Sequence, residues 1–263
     1  MAELYQNRHE YHADASRVSA SMLKVFRRSR ALYHAKYVAK SIPPEASTPR
    51  LELGTAAHVA VLEPDRWSEL VAVAPDVDRR TRDGKDEYAA FLAEVNGRCV
   101  VSADQAAIAQ SVGKAVRGAR LTRFLVTGSD RRFEHPVVWQ DQSTGVPCKA
   151  LPDLWLPGAG AVVDLKTVSS STPWDFAKSV ASYGYAMQAR HYLAATGAAR
   201  FVWITASIEA PFEVAVFELD EPGMEQAERR YRETLSELGA CVATNDWALE
   251  PTEVLKISLP AWA

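Results

Sequence analysis

The sequence predicts an α/β protein with a helical N-terminal part. Three observations carry that expectation. Up to about residue 130 the apolar residues recur mostly at helical spacing. From Arg131 to Leu219 short β-branched and aromatic runs alternate with turns rich in Gly, Pro and Asp. Beyond Leu219 the helical spacing returns. A chain of 263 residues suits one large domain that buries its core without staples. The expected division is a flexible arm over 1–18 and a single domain over 19–263: helical over 19–130, a sheet core over 131–219, and a C-terminal helix and tail over 220–263.

The elements follow in order. Ser19 caps a helix over about 20–39, with Met22, Val25, Phe26 and Tyr33 on its buried side, and the three prolines of Ile42–Pro49 end it. A second helix, about 51–63, is apolar on most of its surface, holds His58 and stops at Pro64. A short strand, Leu70–Ala74, precedes a polar loop from Asp78 to Lys85 and a helix over about 85–95. Ser102 and Gln105 form a capping box for a helix over about 103–117. Arg131–Gln140 and Val146–Leu156 read as strands about the turn Asp141–Gly145, and Ala161–Thr167 reads as a third strand after the tight loop Pro157–Gly160. Thr172, Pro173 and Asp175 mark a helix start, with a break near Tyr183-Gly184 before the helix resumes to about Thr196. Phe201–Ile208 and Phe212–Leu219 read as strands, and about 221–243 as the last long helix.

Thirty basic and thirty-three acidic residues give a formal charge of −3, against a protein that coats nucleic acid by bulk charge but not against a local basic groove. No run approaches the roughly 18–20 apolar residues of a membrane span, and Met1–His12 has no signal-peptide core. The three cysteines, Cys99, Cys148 and Cys241, form no C-x-x-C, so the expected compartment is a reducing cytoplasm.

The chemistry concentrates in Leu151-Pro152-Asp153 and Asp164-Leu165-Lys166. On a strand, Asp164 and Lys166 point with Val162, while Ala161, Val163 and Leu165 point into a core. If Pro157–Gly160 is a four-residue loop, Leu156 opposes Ala161, Trp155 opposes Val162, Leu154 opposes Val163 and Asp153 opposes Asp164. Directly opposed residues have Cβ atoms about 4.5–5.5 Å apart, and facing carboxylates repel unless compensated. A magnesium ion, commonly held by one or two carboxylates and substrate phosphate oxygens, is the natural compensator. Lys166 beside it would stabilise developing charge or hold a water, the chemistry of metal-assisted phosphodiester cleavage. A plain solvated Asp-x-Lys face is the competing reading of the spacing alone.

At these residues the chain resembles the PD-(D/E)xK nuclease superfamily. Gly54-Thr-Ala-Ala-His58 with Val61-Leu-Glu-Pro64 is similar to the histidine motif of RecB-like nucleases, and Gln188-Ala-Arg-His-Tyr192 to their Q-x-x-x-Y helix. Val73–Pro75, Arg79–Thr81 with Gly84-Lys85, and the ending Ile257-Ser-Leu-Pro-Ala-Trp262 resemble RecE-type exonucleases (exodeoxyribonuclease VIII). The resemblance implies a central mixed β-sheet flanked by helices. It implies magnesium-dependent 5′-to-3′ degradation of linear double-stranded DNA, with Mn2+ as a substitute ion, ring-shaped tetramers, and a single-strand annealing recombinase as partner in phage-type recombination. Carried over, Asp153 and Asp164 are the metal-binding acids, Lys166 is the catalytic lysine, His58 an additional metal ligand or active-site group, and Gln188 and Tyr192 the Q-x-x-x-Y pair; the mechanism expected from them adds the Leu165 carbonyl as a metal ligand. The family often has a basic residue just before Pro-Asp; here Leu151 stands there, with Lys149 nearby.

Other candidates carry two readings each. Glu134 is either an acid recruited near the metal or a surface glutamate. Arg79, Arg80, Arg82 and Lys85 are either phosphate contacts or solvated surface, and Arg27, Arg28 and Arg30 are a weaker version of the same choice. Trp174, Tyr183 and Tyr185 stack on a frayed DNA end or pack in the core. His191 reads as structural. Three cysteines fall short of the four thiolates of the iron–sulfur relatives. The alternatives to a RecE-type exonuclease are a RecB-like endonuclease or single-strand nuclease, and a non-catalytic DNA-end-binding scaffold.

Overall fold

The computed structural model describes residues 5, 8–44, 46–128, 130–247, 256 and 258. Helices α1 (Arg8–Ala13), α2 (Ala20–Arg28), α3 (Arg30–Tyr33), α4 (Pro49–Leu62) and α5 (Trp67–Leu70) lead to strand β1 (Val71–Val73). Helix α6 (Arg82–Glu94), strand β2 (Cys99–Val101) and helices α7 (Ala103–Gly118) and α8 (Arg120–Thr127) complete the helical part. Strands β3 (Arg132–Phe133), β4 (Val137–Gln140), β5 (Pro147–Ala150), β6 (Leu154–Leu156) and β7 (Ala161–Val168) follow. Helices α9 (Pro173–Ser182) and α10 (Tyr185–Thr196), strands β8 (Arg200–Ser207) and β9 (Val214–Phe217) and helix α11 (Glu221–Thr244) close the order.

The central sheet is mixed, in the order β3-β6-β7-β8-β9. Strands β6 and β7 pair antiparallel, with Leu156 opposite Ala161, Trp155 opposite Val162 and Leu154 opposite Val163, the register that the four-residue loop predicts. Strands β7 and β8 pair in parallel along eight residue pairs, from Ala161–Arg200 to Val168–Ser207. A parallel pair needs a crossover, and α9 with α10 supplies it. Both sheet faces are therefore covered. Val163 and Leu165 share a buried cluster with Leu53 and Ala56 of α4 and Val112 and Val116 of α7. Val162 shares another with Phe176 of α9 and Leu193 of α10. A third joins Leu23 and Phe26 of α2, Cys148 of β5 and Tyr231, Leu235 and Leu238 of α11.

The caps form as read. Ser102 and Gln105 make the reciprocal capping box of α7, and Thr172 accepts from the Asp175 N–H at the start of α9. Helices α4 and α7 approach so closely that a Cβ on Gly113 would meet the Ala60 carbonyl oxygen at 2.8 Å. Among the described residues no helix is long and apolar enough to cross a membrane.

Several expectations are corrected. The helix over 20–39 breaks at Ser29, whose extended backbone (φ −164°) lets its hydroxyl cap α3 by accepting from the Leu32 N–H, and a π-helical turn over His34–Val38 ends the segment. The strand over 131–140 splits at Glu134, which has φ 41°, so β3 joins the central sheet and β4 pairs with β5. The strand over 146–156 splits at Leu151-Pro152-Asp153, where proline has no N–H for a ladder. Strand β2 and helix α8 were not expected; β2 is only three residues long and exists by pairing with β1. Helix α6 starts at Arg82, so part of the expected loop is helical.

The arm over 1–18 is not loose in its described part: α1 lies in it, Tyr11 is 5% exposed, and Val18 bridges to Cys148. Lys149, 2% exposed, explains this, because its ammonium donates to the carbonyl oxygens of Tyr11 and Asp14 and lies 4.4 Å from the Tyr11 ring centroid. The C-terminal similarity at 257–262 lies outside the described residues apart from Ser258.

Candidate active site

The break at Pro152 turns Asp153 out of the ladder and toward β7. Its Oδ2 accepts from the backbone N–H of Leu165 at 2.8 Å and from His58 Nε2 at 3.0 Å. His58 is aimed from one turn further along α4 than Gly54, whose carbonyl oxygen takes its Nδ1 at 2.7 Å. Both ring nitrogens thus face acceptors, which the imidazolium satisfies with two donors. Burial opposes that charge, but the Asp153 carboxylate, by charge and hydrogen bond, and the Gly54 carbonyl outweigh it and raise the His58 pKa. Burial likewise opposes the Asp153 charge; His58, the charge of Lys166 and the Leu165 N–H overcome it and lower that pKa.

Asp164 stands on β7 and is fully buried. Its Oδ1 accepts from Gln188 Nε2 at 3.0 Å, and its Oδ2 meets the Lys166 ammonium in an ion pair. Burial and the charge of Asp153 keep the Asp164 pKa raised although Lys166 opposes them. Burial works to discharge Lys166, but the two carboxylates prevail and its pKa is raised. Gln188 also reaches the Tyr192 hydroxyl at 3.4 Å, and burial first, then Asp164 and Asp153, push the Tyr192 phenol well above its ordinary range.

The donor set fits a hard divalent cation. Two carboxylates stand close enough to perturb each other, and Asp164 Oδ2 is buried without a well-directed hydrogen bond, facing only the ammonium. Among the described residues no group of three or more His, Cys, Asp and Glu side chains gathers for a metal. An ion held by these two carboxylates would complete its shell with water and phosphate oxygens. His58 would have to leave Asp153 to become a ligand, since both its nitrogens are engaged.

Of the remaining candidates, Glu134 adjoins Asp153 and the basic loop lies apart. Glu134 donates its backbone N–H to the Asp153 carbonyl at 3.3 Å and lines a cleft of about 1160 Å³ with Thr55, Val59 and Leu151. Arg79 lies 4.6 Å from the Tyr88 ring centroid, Arg80 pairs with Asp78, Arg82 approaches Asp86, and Lys85 is exposed. Among the described residues none of these four bonds to the site. His191 is fully buried and gives its Nε2 hydrogen to the Lys149 carbonyl; burial lowers its pKa to about 4, so it stays neutral. Lys149 serves the N-terminal segment and not the site. Tyr185, read as either stacking on a DNA end or packing in the core, stands beside the site with its ring next to the Lys166 ammonium. Lys24 was not read from the sequence as a neighbour of the site; its ammonium contact with the Tyr185 ring joins α2 to α10.

Residues 19–254 match the PDDEXK-like domain of unknown function DUF3799. No curated protein matches. A solved structure of a protein proposed as an exonuclease, from Eubacterium rectale, superposes with a TM-score of 0.62 at 15% identity, covering 99% of this chain and 97% of that one. The alkaline exonuclease LHK-Exo of Laribacter hongkongensis (16% identity, 75% of this chain, 94% of that one) and a phage-related exonuclease of Haemophilus somnus (11%, 88% and 96%) give TM-scores of 0.31 and 0.34, too low to add weight. The chain belongs to the PDDEXK-like family DUF3799 and has the PD-(D/E)xK nuclease fold, a central mixed sheet flanked by helices.

Proposed function

We propose that the protein is a metal-dependent exodeoxyribonuclease of the RecE type. It degrades linear double-stranded DNA 5′-to-3′ and leaves 3′ single strands for phage-type homologous recombination. The observation that supports this best is the union of Asp153, Asp164 and Lys166 at one point of β7, with His58 and Gln188 bonded to the two carboxylates. Ring-shaped tetramers, a single-strand annealing recombinase as partner and a cytoplasmic location belong to the same proposal and rest on the resemblance.

Asp153 and Asp164, with the Leu165 carbonyl, would hold Mg2+ or Mn2+. When bound, such an ion lowers the pKa of a water and polarises the phosphate. Lys166 places its ammonium where charge develops on the attacked phosphate, or holds the water. Gln188 keeps Asp164 in one orientation. His58 neutralises Asp153 before the ion and substrate arrive.

The test is digestion of linear duplex labelled at either end, beside closed circular and single-stranded DNA. Magnesium-dependent loss of the 5′ label, no attack on circles and no digestion by Asp164→Ala are expected. No magnesium-dependent digestion, or equal activity in Asp164→Ala, overturns the proposal. Preferred attack on circles or single strands would favour the RecB-like alternatives, and DNA-end binding without cleavage would favour the scaffold.

A further inference from the structure

Lys24 lies in α2 between fully buried Leu23 and half-buried Val25. Its stem runs across Gly184, where a Cβ would sit 3.0 Å from Lys24 Cδ and 3.2 Å from its Cγ. Gly184 also has φ 65°, the left-handed conformation that favours glycine at the break between α9 and α10. Beyond the break the Tyr185 ring carries two ammonium groups. Lys166 Nζ lies 4.9 Å from its centroid and Lys24 Nζ lies 5.5 Å from it.

The two cations differ in one respect. Lys166 has Asp164 as its counter-ion, whereas Lys24 has no carboxylate within ion-pair distance among the described residues. Burial first, then the charge of Lys166, pull the Lys24 pKa down to about 8 against the pull of Asp164. The N-terminus of the twelve-residue helix α10 opens at the same place, and no side chain caps it. The N–H groups of its first turn add positive potential beside the ammonium. Tyr183, 54% exposed with its ring 5.6 Å from that of Tyr185, marks the side open to solvent. A nucleic-acid strand carries one charge per about 3.4 Å of axis, so phosphates next to the one at Lys166 fall within reach of the second ammonium.

We propose that Lys24, with the uncapped N-terminus of α10, binds the substrate phosphate adjoining the one under attack and holds the strand in register over Asp164 and Lys166. The proposal rests on the nuclease reading of the site. Lys24→Met keeps an unbranched stem against Gly184 and removes the charge; Lys24→Arg keeps the charge. The measurements are kcat and KM on a labelled linear duplex in magnesium, and the affinity of a fluorescent duplex oligonucleotide in calcium across a salt series. Lys24→Met should raise KM about tenfold or more, with a smaller effect on kcat. Its slope of log affinity against log salt should flatten by about 0.7–0.9, one phosphate contact. Lys24→Arg should recover most of both. Wild-type values of KM and slope in Lys24→Met would overturn the role while leaving the nuclease proposal standing. Equal losses in Met and Arg variants, with a lowered melting temperature, would make Lys24 a packing residue. A wild-type protein that neither digests nor binds DNA would bring down both proposals together.

Discussion

Gln188 Nε2 donates to Asp164 Oδ1 across 3.0 Å, joining α10 to β7 over a separation of 24 residues. A hydrogen bond to a buried charge contributes about 1.5–3 kcal/mol, and here it sets which way Asp164 presents its other oxygen. Gln188→Ala should lower kcat for linear duplex by about 10–100-fold with little change in KM, and Gln188→Glu, which sets a like charge against Asp164, should fall further. Steady-state digestion of end-labelled DNA checks this, and wild-type turnover in Gln188→Ala would remove Gln188 from the mechanism.

Asp141 is 4% exposed and accepts from the Ser143 and Thr144 N–H groups, the Thr144 hydroxyl and Arg232. Burial raises its pKa, but the Thr144 bonds and Arg232 outweigh that and hold it below the ordinary 3.8. A lowered carboxyl pKa adds stability that is present above the unfolded value and lost as pH falls through the folded one. Asp141→Asn should therefore cost about 1–3 kcal/mol near neutral pH, with the gap to wild type narrowing as acid is added. Urea unfolding at a series of pH values gives the gap directly; a gap constant with pH contradicts the assignment.

Gly113 faces the Ala60 carbonyl with no space for a methyl group, since the contact would be 2.8 Å to backbone oxygen. Gly113→Ala normally favours a helix by about 0.5–1 kcal/mol, but here it must push α7 from α4. The expected result is a net loss of about 1–3 kcal/mol, read as a lower urea midpoint. A raised midpoint would mean that the two helices separate freely.

Lys149 donates to the Tyr11 and Asp14 carbonyls from a buried position in β5. Lys149→Met leaves those acceptors without their donor and should release α1 from β5. Hydrogen exchange at residues 10–14 should accelerate in the variant while β7 and β8 keep their protection. Unchanged exchange across α1 would show that other contacts seat it.

Much of the sheet was legible because its signals are local. Pro157–Gly160 sets the register of β6 on β7, and the Ser102, Thr172 and Ser19 hydroxyls announce helix starts within four residues of themselves. Asp153, Asp164 and Lys166 were identifiable as a group because the hairpin count brings them together. The manner of their meeting was not. The count sets Asp153 opposite Asp164, whereas Pro152 ends the ladder and Asp153 instead receives the Leu165 N–H and His58.

From the chain alone come the α/β class, the element order, the caps, the β6–β7 register and the identity of the acids and lysine at the centre. These depend on spacings of a few residues, which sequence displays directly. The fold adds the parallel pairing of β7 with β8, the split at Glu134, the seat of α1 on Lys149, and Lys24 beside Lys166 on one aromatic ring. Each joins residues far apart in the chain, and a buried charge or an unpaired backbone group finds its partner only once packing has excluded water from around it.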